Sequence, residues 1–273
     1  FQFIDHTMIE IVANRIIEYY QENGIIDSFQ LTIDRKNAQN EYSTAFSIAQ
    51  QIVRDQYDYI ITLSTPALQV TAQANKIIPH VFGAVTDPYR MGVAKTPEDH
   101  QKNLTGVATF QPVESSFKLM REMFPEAKSV GLIWNPAEAC SEACTMVSRK
   151  AAEKYGFQLL EVSVNNTSEV IDALNSLFNK NMDIMFTSGD NTVILALESI
   201  AKKCFEKQIP YFSNTFSDVE RGAFVSIGAD YSEVGVETAK MMIRVMKGEN
   251  PADIPIYDFV PEKIYINQEY AEI

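Results

Sequence analysis

The chain has 273 residues, of which 46% are hydrophobic and 22% are charged, a composition typical of globular proteins with a sizeable core. With about 150 residues per domain, this length predicts roughly two domains. The chain carries 23 Lys and Arg against 36 Asp and Glu, a formal net charge of −13. Such an acidic surface repels phosphate backbones, so we expect no nucleic-acid partner. No apolar run approaches the roughly 18–20 residues of a membrane span.

Helical and strand patterns alternate along the chain. Residues 1–4 are interpreted as a strand rather than as a signal peptide, so we expect a mature or trimmed form of the protein. Apolar residues three and four positions apart predict helices over residues 9–20, 143–155 and 193–204. Short continuous apolar runs predict further strands at residues 59–63, 81–85, 130–134, 184–187 and 223–227. Apolar strands separated by helices are typical of parallel sheets that are covered on both faces.

The two halves of the chain follow the same order of elements. Asp58 begins a strand that leads into a small polar loop and a helix, and Ile78-Pro79 then precedes the next strand. Asp183 begins the same series in the second half, with Ile209-Pro210 in the corresponding place. The helices differ in length, so this is a structural repeat rather than a close sequence repeat. We therefore predict two α/β lobes of similar build.

Small polar residues follow the predicted strands in both halves. In open α/β sheets, ligands bind beyond the carboxyl ends of the strands. In the first lobe these ends carry Asp5, His6, Ser64, Thr65, Thr86 and Asp87. In the second lobe they carry Asn135, Ser141, Ser188, Asp190 and Asn214. Facing each other, the two sets would line a cleft with hydrogen-bonding groups.

Several of these positions suggest specific contacts, and each has a structural alternative. Ser64 and Thr65 come just before a predicted helix, where hydroxyls and free backbone amides suit a carboxylate or simply cap the helix. Asp190 opens another predicted helix, and it either accepts hydrogen bonds from a ligand ammonium or caps that helix. Asp87 belongs to an Asp-Pro pair, and it either lines the site or forms a turn.

No catalytic or metal-binding motif stands out in the sequence. The chain contains no GxGxxG, GxxxxGK[ST], GxSxG or HExxH pattern. His6 is the only histidine at a predicted strand end. Three cysteines without a CxxC pair do not form a disulfide framework, so we expect buried or half-buried free thiols at Cys140, Cys144 and Cys204. We therefore expect no metal, no cofactor and no enzymatic activity.

Short motifs occur one after another along the chain, most of them at the predicted loops. In the first half they are Asp5-His6, Asn37-Ala-Gln39, Thr65-Pro-Ala67, Ile78-Pro79, Val85-Thr-Asp-Pro88 and Asn103-Leu-Thr-Gly106. In the second half they are Asn135-Pro136, Ser141, Asp190-Asn191, Ile209-Pro210 and Gly228-Ala-Asp-Tyr231, which adds Asp230 to the candidate residues. Each motif is weak alone. Together, over almost the whole chain, they resemble the tryptophan/tyrosine-type substrate-binding proteins of bacterial ABC transporters.

The resemblance implies a type I periplasmic binding protein fold, in which two Rossmann-like lobes with parallel sheets are joined by crossover strands and close on a small ligand. Crossings of this layout are expected near residues 109–111, 229–231 and 257–260. One lobe would then comprise residues 1–109 with 231–257, and the other residues 110–230 with 258–273.

The resemblance also implies a function. We expect a solute-binding protein of an ABC importer, periplasmic or otherwise extracytoplasmic, with a lipid anchor conceivable in the full-length protein. A membrane permease would be its partner, and an amino acid such as Trp, Tyr or Phe its ligand. Alternatively, the same fold serves as the ligand-binding ectodomain of a signalling receptor. An enzyme is the least expected of the three.

Three residues near the expected cleft depart from the family pattern. Cys140 stands where an Asn usually precedes the Ser, and we include it among the candidate ligand-binding residues. Trp134 stands where Tyr is common, and Leu68 replaces a smaller residue. These departures imply a ligand that differs from the family norm.

Overall fold

The computed structural model describes residues 1–272, which form two compact units. Unit 1 contains Phe1–Phe110 and Asp230–Pro261. Unit 2 contains Gln111–Ala229 and the described residues from Glu262 onward. Ile273, the last residue of the expected second lobe, lies outside the described residues.

Helices and strands alternate along most of the chain. The helices are α1 (Thr7–Glu22), α2 (Ile25–Phe29), α3 (Tyr42–Arg54), α4 (Thr65–Ala74), α5 (Val113–Met123), α6 (Ala139–Lys154), α7 (Val170–Asn179), α8 (Leu197–Glu206) and α9 (Tyr231–Met246). The strands are β1 (Ile60–Leu63), β2 (His80–Val85), β3 (Leu104–Ala108), β4 (Ser129–Trp134), β5 (Gln158–Ser163), β6 (Ile184–Thr187), β7 (Tyr211–Ser213), β8 (Val225–Ala229), β9 (Tyr257–Asp258) and β10 (Glu262–Ile266). The predicted α/β class is confirmed.

The sheet of unit 1 has four parallel strands in the order β1-β2-β3-β9. Strand β9 extends unit 1 beyond the expected boundary, because Tyr257 pairs with Val107 and the Phe259 N–H donates to the Ala108 carbonyl. Residues 258–261 therefore belong to unit 1 rather than to the expected second lobe. Phe110 and Asp230 also lie in unit 1, one residue from the expected boundaries.

The sheet of unit 2 has six strands in the order β10-β8-β7-β6-β4-β5. The five strands β4 to β8 are parallel, as the apolar runs predict. Strand β10 is an exception, since it pairs antiparallel with β8 at the edge of the sheet. A hydrophobic core that includes Leu174, Leu177 and Ile200 packs against this sheet.

Three predicted elements differ from the structure. The expected strand at residues 1–4 is reduced to bridges from Gln2 to Asn37 and Leu63, because the chain bends at the two residues that follow. The helix expected over residues 193–204 begins as a 3₁₀ turn at Ile194–Ala196 and becomes α8 only afterwards, because the Ala196 N–H donates to Val193. The strand expected at residues 223–227 lies two residues later, as β8.

The cysteines behave as predicted, since Cys140, Cys144 and Cys204 are buried thiols outside any disulfide bond among residues 1–272. Across residues 1–272, no helix combines the length and the apolar character that a membrane span needs. The same residues contain no group of three or more His, Cys, Asp or Glu side chains placed to hold a metal ion.

The contact between β2 and β3 requires Gly106 to have no side chain. A Cβ atom at this position would lie 2.5 Å from the backbone oxygen of Phe82, its register partner. The backbone of a central strand cannot move away cheaply, so we expect Gly106→Ala to lower the free energy of unfolding by about 3 kcal/mol. Urea unfolding followed by circular dichroism measures this change.

Gly131→Ala is the matched control in unit 2. Its Cβ would press on the Met182 sulfur, the flexible end of a side chain, and would lie 3.1 Å from Leu177. We expect a loss of at most about 1 kcal/mol, since Met side chains adapt to small changes in volume. An equal loss for both variants would contradict the argument that the rigid β2 backbone sets the cost at Gly106.

Candidate functional site

The loops that follow β1, β2 and β3 are joined at one end of the unit 1 sheet. The Thr86 N–H donates to Thr65 Oγ1 at 3.4 Å, and this bond links the loops after β2 and β1. The Thr109 N–H donates to the Val85 carbonyl at 2.7 Å, which brings in the end of β3. We call Ser64, Thr65, Thr86 and Thr109 the unit 1 polar edge. Sequence reasoning selected three of these four and missed Thr109.

Ser64 is the most unusual residue of this edge. Its backbone has φ 85° and ψ 155°, a conformation that costs energy for a residue with a side chain. The residue is 8% exposed, and its hydroxyl has no hydrogen-bond partner among the described residues. It stands immediately before α4, with Pro66 in the first turn of that helix. A buried free hydroxyl at a helix N-terminus is suited to an anionic group.

Thr109 provides a second unsatisfied hydroxyl at the same sheet end. Its side chain is 2% exposed, and no partner for its Oγ1 lies within residues 1–272. Thr109 directly follows β3. The rule that ligands bind beyond the carboxyl ends of parallel strands could therefore have identified it from the sequence.

Asp87 acts locally in the turn after β2. One of its oxygens, Oδ1, accepts hydrogen bonds from the N–H groups of Tyr89 and Arg90, both at 3.0 Å. This is the turn role that the sequence left open. Tyr89 in turn donates its hydroxyl to Asp258 at 2.9 Å, so the turn is attached to strand β9.

Asp5, His6 and Asp230 also contact their own segments. Asp5 is exposed, and its Oδ1 accepts hydrogen bonds from the side chains of Gln2 and Asn37. His6 caps α1 by accepting a hydrogen bond at Nδ1 from the Met8 N–H. Asp230 caps α9 in the same way, with its Oδ1 as the acceptor. All three positions lie in unit 1, so Asp230 is not part of the edge formed by unit 2.

Asp190 is the centre of the polar edge of unit 2. Its Oδ2 accepts hydrogen bonds from the Asn135 N–H at 2.7 Å and from Ser141 Oγ at 2.6 Å. Its Oδ1 accepts from the N–H groups of Thr192 at 2.9 Å and Val193 at 2.8 Å. A carboxylate offers about four lone-pair positions, so the chain itself occupies all of them. Asp190 thus joins the loop after β4, the first turn of α6 and the loop after β6.

Glu138 reinforces this junction, and sequence reasoning missed it. Its carboxylate accepts hydrogen bonds from the backbone N–H groups of Asn191 at 2.8 Å and Thr192 at 2.9 Å, and from both of their side chains. Burial, followed by the charge of Glu138, raises the pKa of Asp190 to about 6. An acidic residue a few positions before the helix predicted at 143–155 was the available signal, since anions are favourable near helix N-termini.

The other candidates of unit 2 differ in how well they are satisfied. Cys140 is buried, its Sγ accepts a hydrogen bond from the Asn191 side chain at 3.7 Å, and burial raises the pKa of its thiol. Asn214 donates from Nδ2 to Ser116 at 2.7 Å and to the Ile227 carbonyl at 2.8 Å. In the part of the chain that the structure describes, Ser188 Oγ and Asn214 Oδ1 are buried without a partner.

Asp218 is a buried carboxyl beyond β7 that sequence reasoning also missed. It is 1% exposed, one of its oxygens accepts a hydrogen bond from Ser213, and the Arg221 guanidinium lies 3.9 Å from the other. Burial raises its pKa to about 7. Nearby, Tyr211 and Thr187 share a hydroxyl–hydroxyl bond of 2.7 Å. An acidic residue four positions after Asn214 was the only sequence signal.

The two edges have complementary chemistry. Unit 1 offers free hydroxyls and the N-terminus of α4, which suit an anion. Unit 2 offers unpaired oxygen atoms on Ser188 and Asn214, together with the buried acidic side chains Asp190 and Asp218, which suit a hydrogen-bond donor with positive charge. A zwitterionic molecule presents both kinds of group.

Comparison with known proteins identifies one family. The sequence profile described as ABC transporter substrate binding protein matches residues 1–272. The chain is 30% identical over 268 residues to a protein named tyrosine-binding protein from Clostridioides difficile, an alignment that covers 98% of this chain and 77% of the relative.

Solved structures of similar proteins agree with this family. A conserved domain protein from Vibrio cholerae has a TM-score of 0.93 at 31% identity, covering 99% of this chain and 91% of that one. An ABC domain from Streptococcus pneumonia in complex with L-Trp has a TM-score of 0.90 at 26% identity, covering 99% of this chain and 92% of that one.

The raised pKa of Asp218 predicts a specific pH dependence. A carboxyl whose pKa rises from 3.8 unfolded to about 7 folded stabilises the fold fully below pH 3.8, and this stabilisation is lost as the pH rises towards 7. Between pH 5.5 and 8, Asp218 should therefore cost unit 2 about 2 kcal/mol. Asp218→Asn removes this loss, because the amide does not titrate. Urea unfolding followed by the fluorescence of Trp134, the only tryptophan, reports on unit 2.

Asp172→Asn is the control, since Asp172 lies on an exposed position of α7 in the same unit. This variant should keep the pH dependence of the unchanged protein. An Asp218→Asn protein that loses as much stability between pH 5.5 and 8 as the unchanged protein would contradict the assignment.

Proposed function

Because the chain belongs to the family of ABC transporter substrate-binding proteins, we propose that it captures a small solute outside the cytoplasm and delivers it to the membrane permease of an importer. The family consists of solute-binding proteins rather than enzymes. The unsatisfied polar atoms at both sheet ends support a binding role, because buried groups without partners are expected where a ligand supplies the missing hydrogen bonds.

The proposed ligand is an aromatic amino acid. The Clostridioides relative is named for tyrosine, and the Streptococcus structure contains L-Trp. The free hydroxyl of Ser64 before α4 is the observation in this chain that carries the proposal, since a ligand carboxylate would satisfy both the hydroxyl and the helix amides. In unit 2, the unsatisfied Asn214 Oδ1 is an acceptor of the kind that an ammonium group needs.

In this proposal Asp190 does not bind the ligand ammonium directly, which was one of the two roles that its position suggested. All of its lone-pair positions are used within unit 2, so it would contribute negative charge and hold the loops in place.

L-Trp, L-Tyr and L-Phe should each be tested in a thermal-shift experiment. Ligand at about 100 times its dissociation constant stabilises a protein by roughly 2.7 kcal/mol. For a chain of this size we expect the midpoint of unfolding to rise by about 5–10 °C with at least one of them. Tryptamine lacks the carboxylate and indole-3-propionate lacks the ammonium, so both should give a much smaller shift.

Sugars such as ribose and myo-inositol serve as controls with a different chemistry, and they should give no shift. A shift with a sugar and none with any aromatic amino acid would overturn the proposed ligand while leaving the binding function in place. A shift of equal size with tryptamine would show that the ligand carboxylate does not contribute to binding.

Ser64→Ala tests the carboxylate contact directly. Hydrogen bonds to charged groups contribute about 1.5–3 kcal/mol, so the dissociation constant of the preferred amino acid should rise about ten- to a hundredfold. The stability of the ligand-free protein should hardly change, because the hydroxyl makes no bond to the described residues. Isothermal titration calorimetry measures the affinity.

Thr71→Val is the matched control for Ser64→Ala. Thr71 lies in the same helix, is fully buried, and its hydroxyl likewise lacks a partner within the described chain. The affinity of this variant should stay within twofold of the unchanged protein. Unchanged affinity in Ser64→Ala as well would show that the Ser64 hydroxyl does not contact the ligand.

A further inference from the structure

Two large aromatic side chains are exposed beside each other on the surface of unit 1. Tyr42 is 51% exposed and Phe46 is 44% exposed, whereas aromatic side chains are mostly buried in folded proteins. They lie four positions apart on α3, so they are neighbours on one face of the helix. Grouped exposed apolar side chains, unlike single ones, mark surfaces that bind another molecule.

The loop before α3 places Tyr42 at the end of the unit 1 sheet. Gln39 and Asn40 have φ of 51° and 64°, left-handed conformations that turn the chain sharply. The Asn40 N–H then donates to the Phe3 carbonyl at 2.8 Å, which fixes the loop against the start of the chain. The helix therefore begins over Phe3, and the centroids of the Tyr42 and Phe3 rings are 4.8 Å apart.

Phe3 connects this exposed ring to the unit 1 polar edge. It is 2% exposed and belongs to a hydrophobic cluster with Ala67, which lies in the first turn of α4. The preceding residue, Gln2, forms a parallel bridge to Leu63, so Phe3 lies beside Ser64 in the same register. One strand spacing of about 4.8 Å and one ring contact therefore separate Ser64 from the exposed ring on α3.

Helices α3 and α4 pack side by side and begin at the same end of unit 1. Ala45 and Ala49 of α3 share the cluster with Ala67 and Val70 of α4. The segment before α3 and the strand before α4 both bridge Gln2 in parallel. Because both helices follow parallel segments, the first turn of α3 lies beside the N-terminus of α4.

We propose that Tyr42 binds the aromatic ring of the amino-acid ligand by stacking, and that this contact sets a preference for aromatic over aliphatic side chains. The inference rests on the proposed function, which places the ligand carboxylate at Ser64. Aromatic rings interact at centroid distances of about 4.5–7 Å. One side of the Tyr42 ring contacts Phe3, and the exposed side would contact the ligand ring.

The Tyr42 ring is held in position before a ligand arrives. Its contact with the buried Phe3 ring restricts its rotation. Tyrosine offers a large contact area with few rotatable bonds, so it loses little conformational entropy on binding. A contact that is ordered in advance loses less of its free energy to the cost of binding.

Phe46 is the natural comparison for Tyr42, because it has a similar exposure on the same helix face. Residues four apart in an α-helix are separated by about 6 Å along its axis. Helix α3 begins at the strand ends and runs away from them, so Phe46 lies farther from Ser64 than Tyr42 does. We therefore expect Phe46 to make no contact with the ligand ring.

Tyr42→Leu tests the stacking contact. Leucine retains an apolar contact with Phe3 but has no aromatic face. Isothermal titration calorimetry should show that the dissociation constant of the preferred aromatic amino acid rises about tenfold. Tyr42→Phe retains the ring, and Phe46→Leu is the matched control, so both should stay within about twofold of the unchanged protein.

A pair of ligands separates stacking from a structural effect of the substitution. L-Phe and cyclohexylalanine have the same carboxylate, ammonium and side-chain connectivity, but only L-Phe has a π-system. In Tyr42→Leu, the preference for L-Phe over cyclohexylalanine should fall about fivefold relative to the unchanged protein. The preference should be unaltered in Phe46→Leu. A structural defect would weaken both ligands equally and leave the preference unaltered in Tyr42→Leu, which would contradict the proposal.

The outcomes distinguish this inference from the proposed function. If the unchanged protein binds aromatic amino acids and Tyr42→Leu binds them equally well, the inference is overturned and the proposed function stands. The exposed pair would then be a surface for a protein partner. If the unchanged protein binds no aromatic amino acid, the proposed ligand is overturned and the inference with it.

Tyr42→Trp keeps the test decisive if Tyr42→Leu does not fold. Its fluorescence, after subtraction of the Trp134 signal of the unchanged protein, should shift to shorter wavelength when L-Phe binds. Phe46→Trp should show no such shift. A Tyr42→Trp protein that binds L-Phe without a change in its emission would also overturn the inference.

Discussion

Parallel strand pairing is the constraint on which the rest of this protein depends. Parallel strands need long crossover connections, usually helical, and these return the chain so that the parallel strands of a sheet end at the same edge. In unit 1 this places the ends of β1, β2 and β3 together, and hydrogen bonds from Thr86 and Thr109 join their loops. In unit 2 it brings the loops after β4 and β6 close enough for Asp190 to bind both. The polar edges thus follow from the topology.

The polar residues at these edges divide into a structural and a receptive group. Asp190, Glu138 and Asp87 accept hydrogen bonds from their own loops, which fixes the backbone around them. Ser64 and Thr109 are buried, and their hydroxyls have no partner among the residues that the structure describes. A buried unpaired hydroxyl costs free energy. In the proposed function, a bound ligand would supply the missing partner.

The sequence predicts the regular parts of the fold because burial determines them. The apolar runs at 184–187 and 130–134 become β6 and β4, and the stripe at 9–20 becomes α1. The two-lobed α/β fold inferred from the motif order is confirmed by solved structures with TM-scores of 0.93 and 0.90. The strand at residues 1–4 was wrong, because pairing beyond Gln2 depends on the local bend of the chain rather than on apolar character.

The candidate site was harder to predict, because residue type does not show where a side chain finds its partners. Asp190 and Ser64 were both found because each follows a predicted strand. The Asp190 carboxylate accepts hydrogen bonds from its own chain, whereas the Ser64 hydroxyl has no partner among the described residues. Asp218 was missed because residue type does not reveal its burial, and its hydrogen bond from Ser213 forms only in the folded loop. Burial raises the pKa of Asp218 and of Asp190 alike. A cationic group held near either carboxyl would favour its charged form and offset part of the cost of burying that charge.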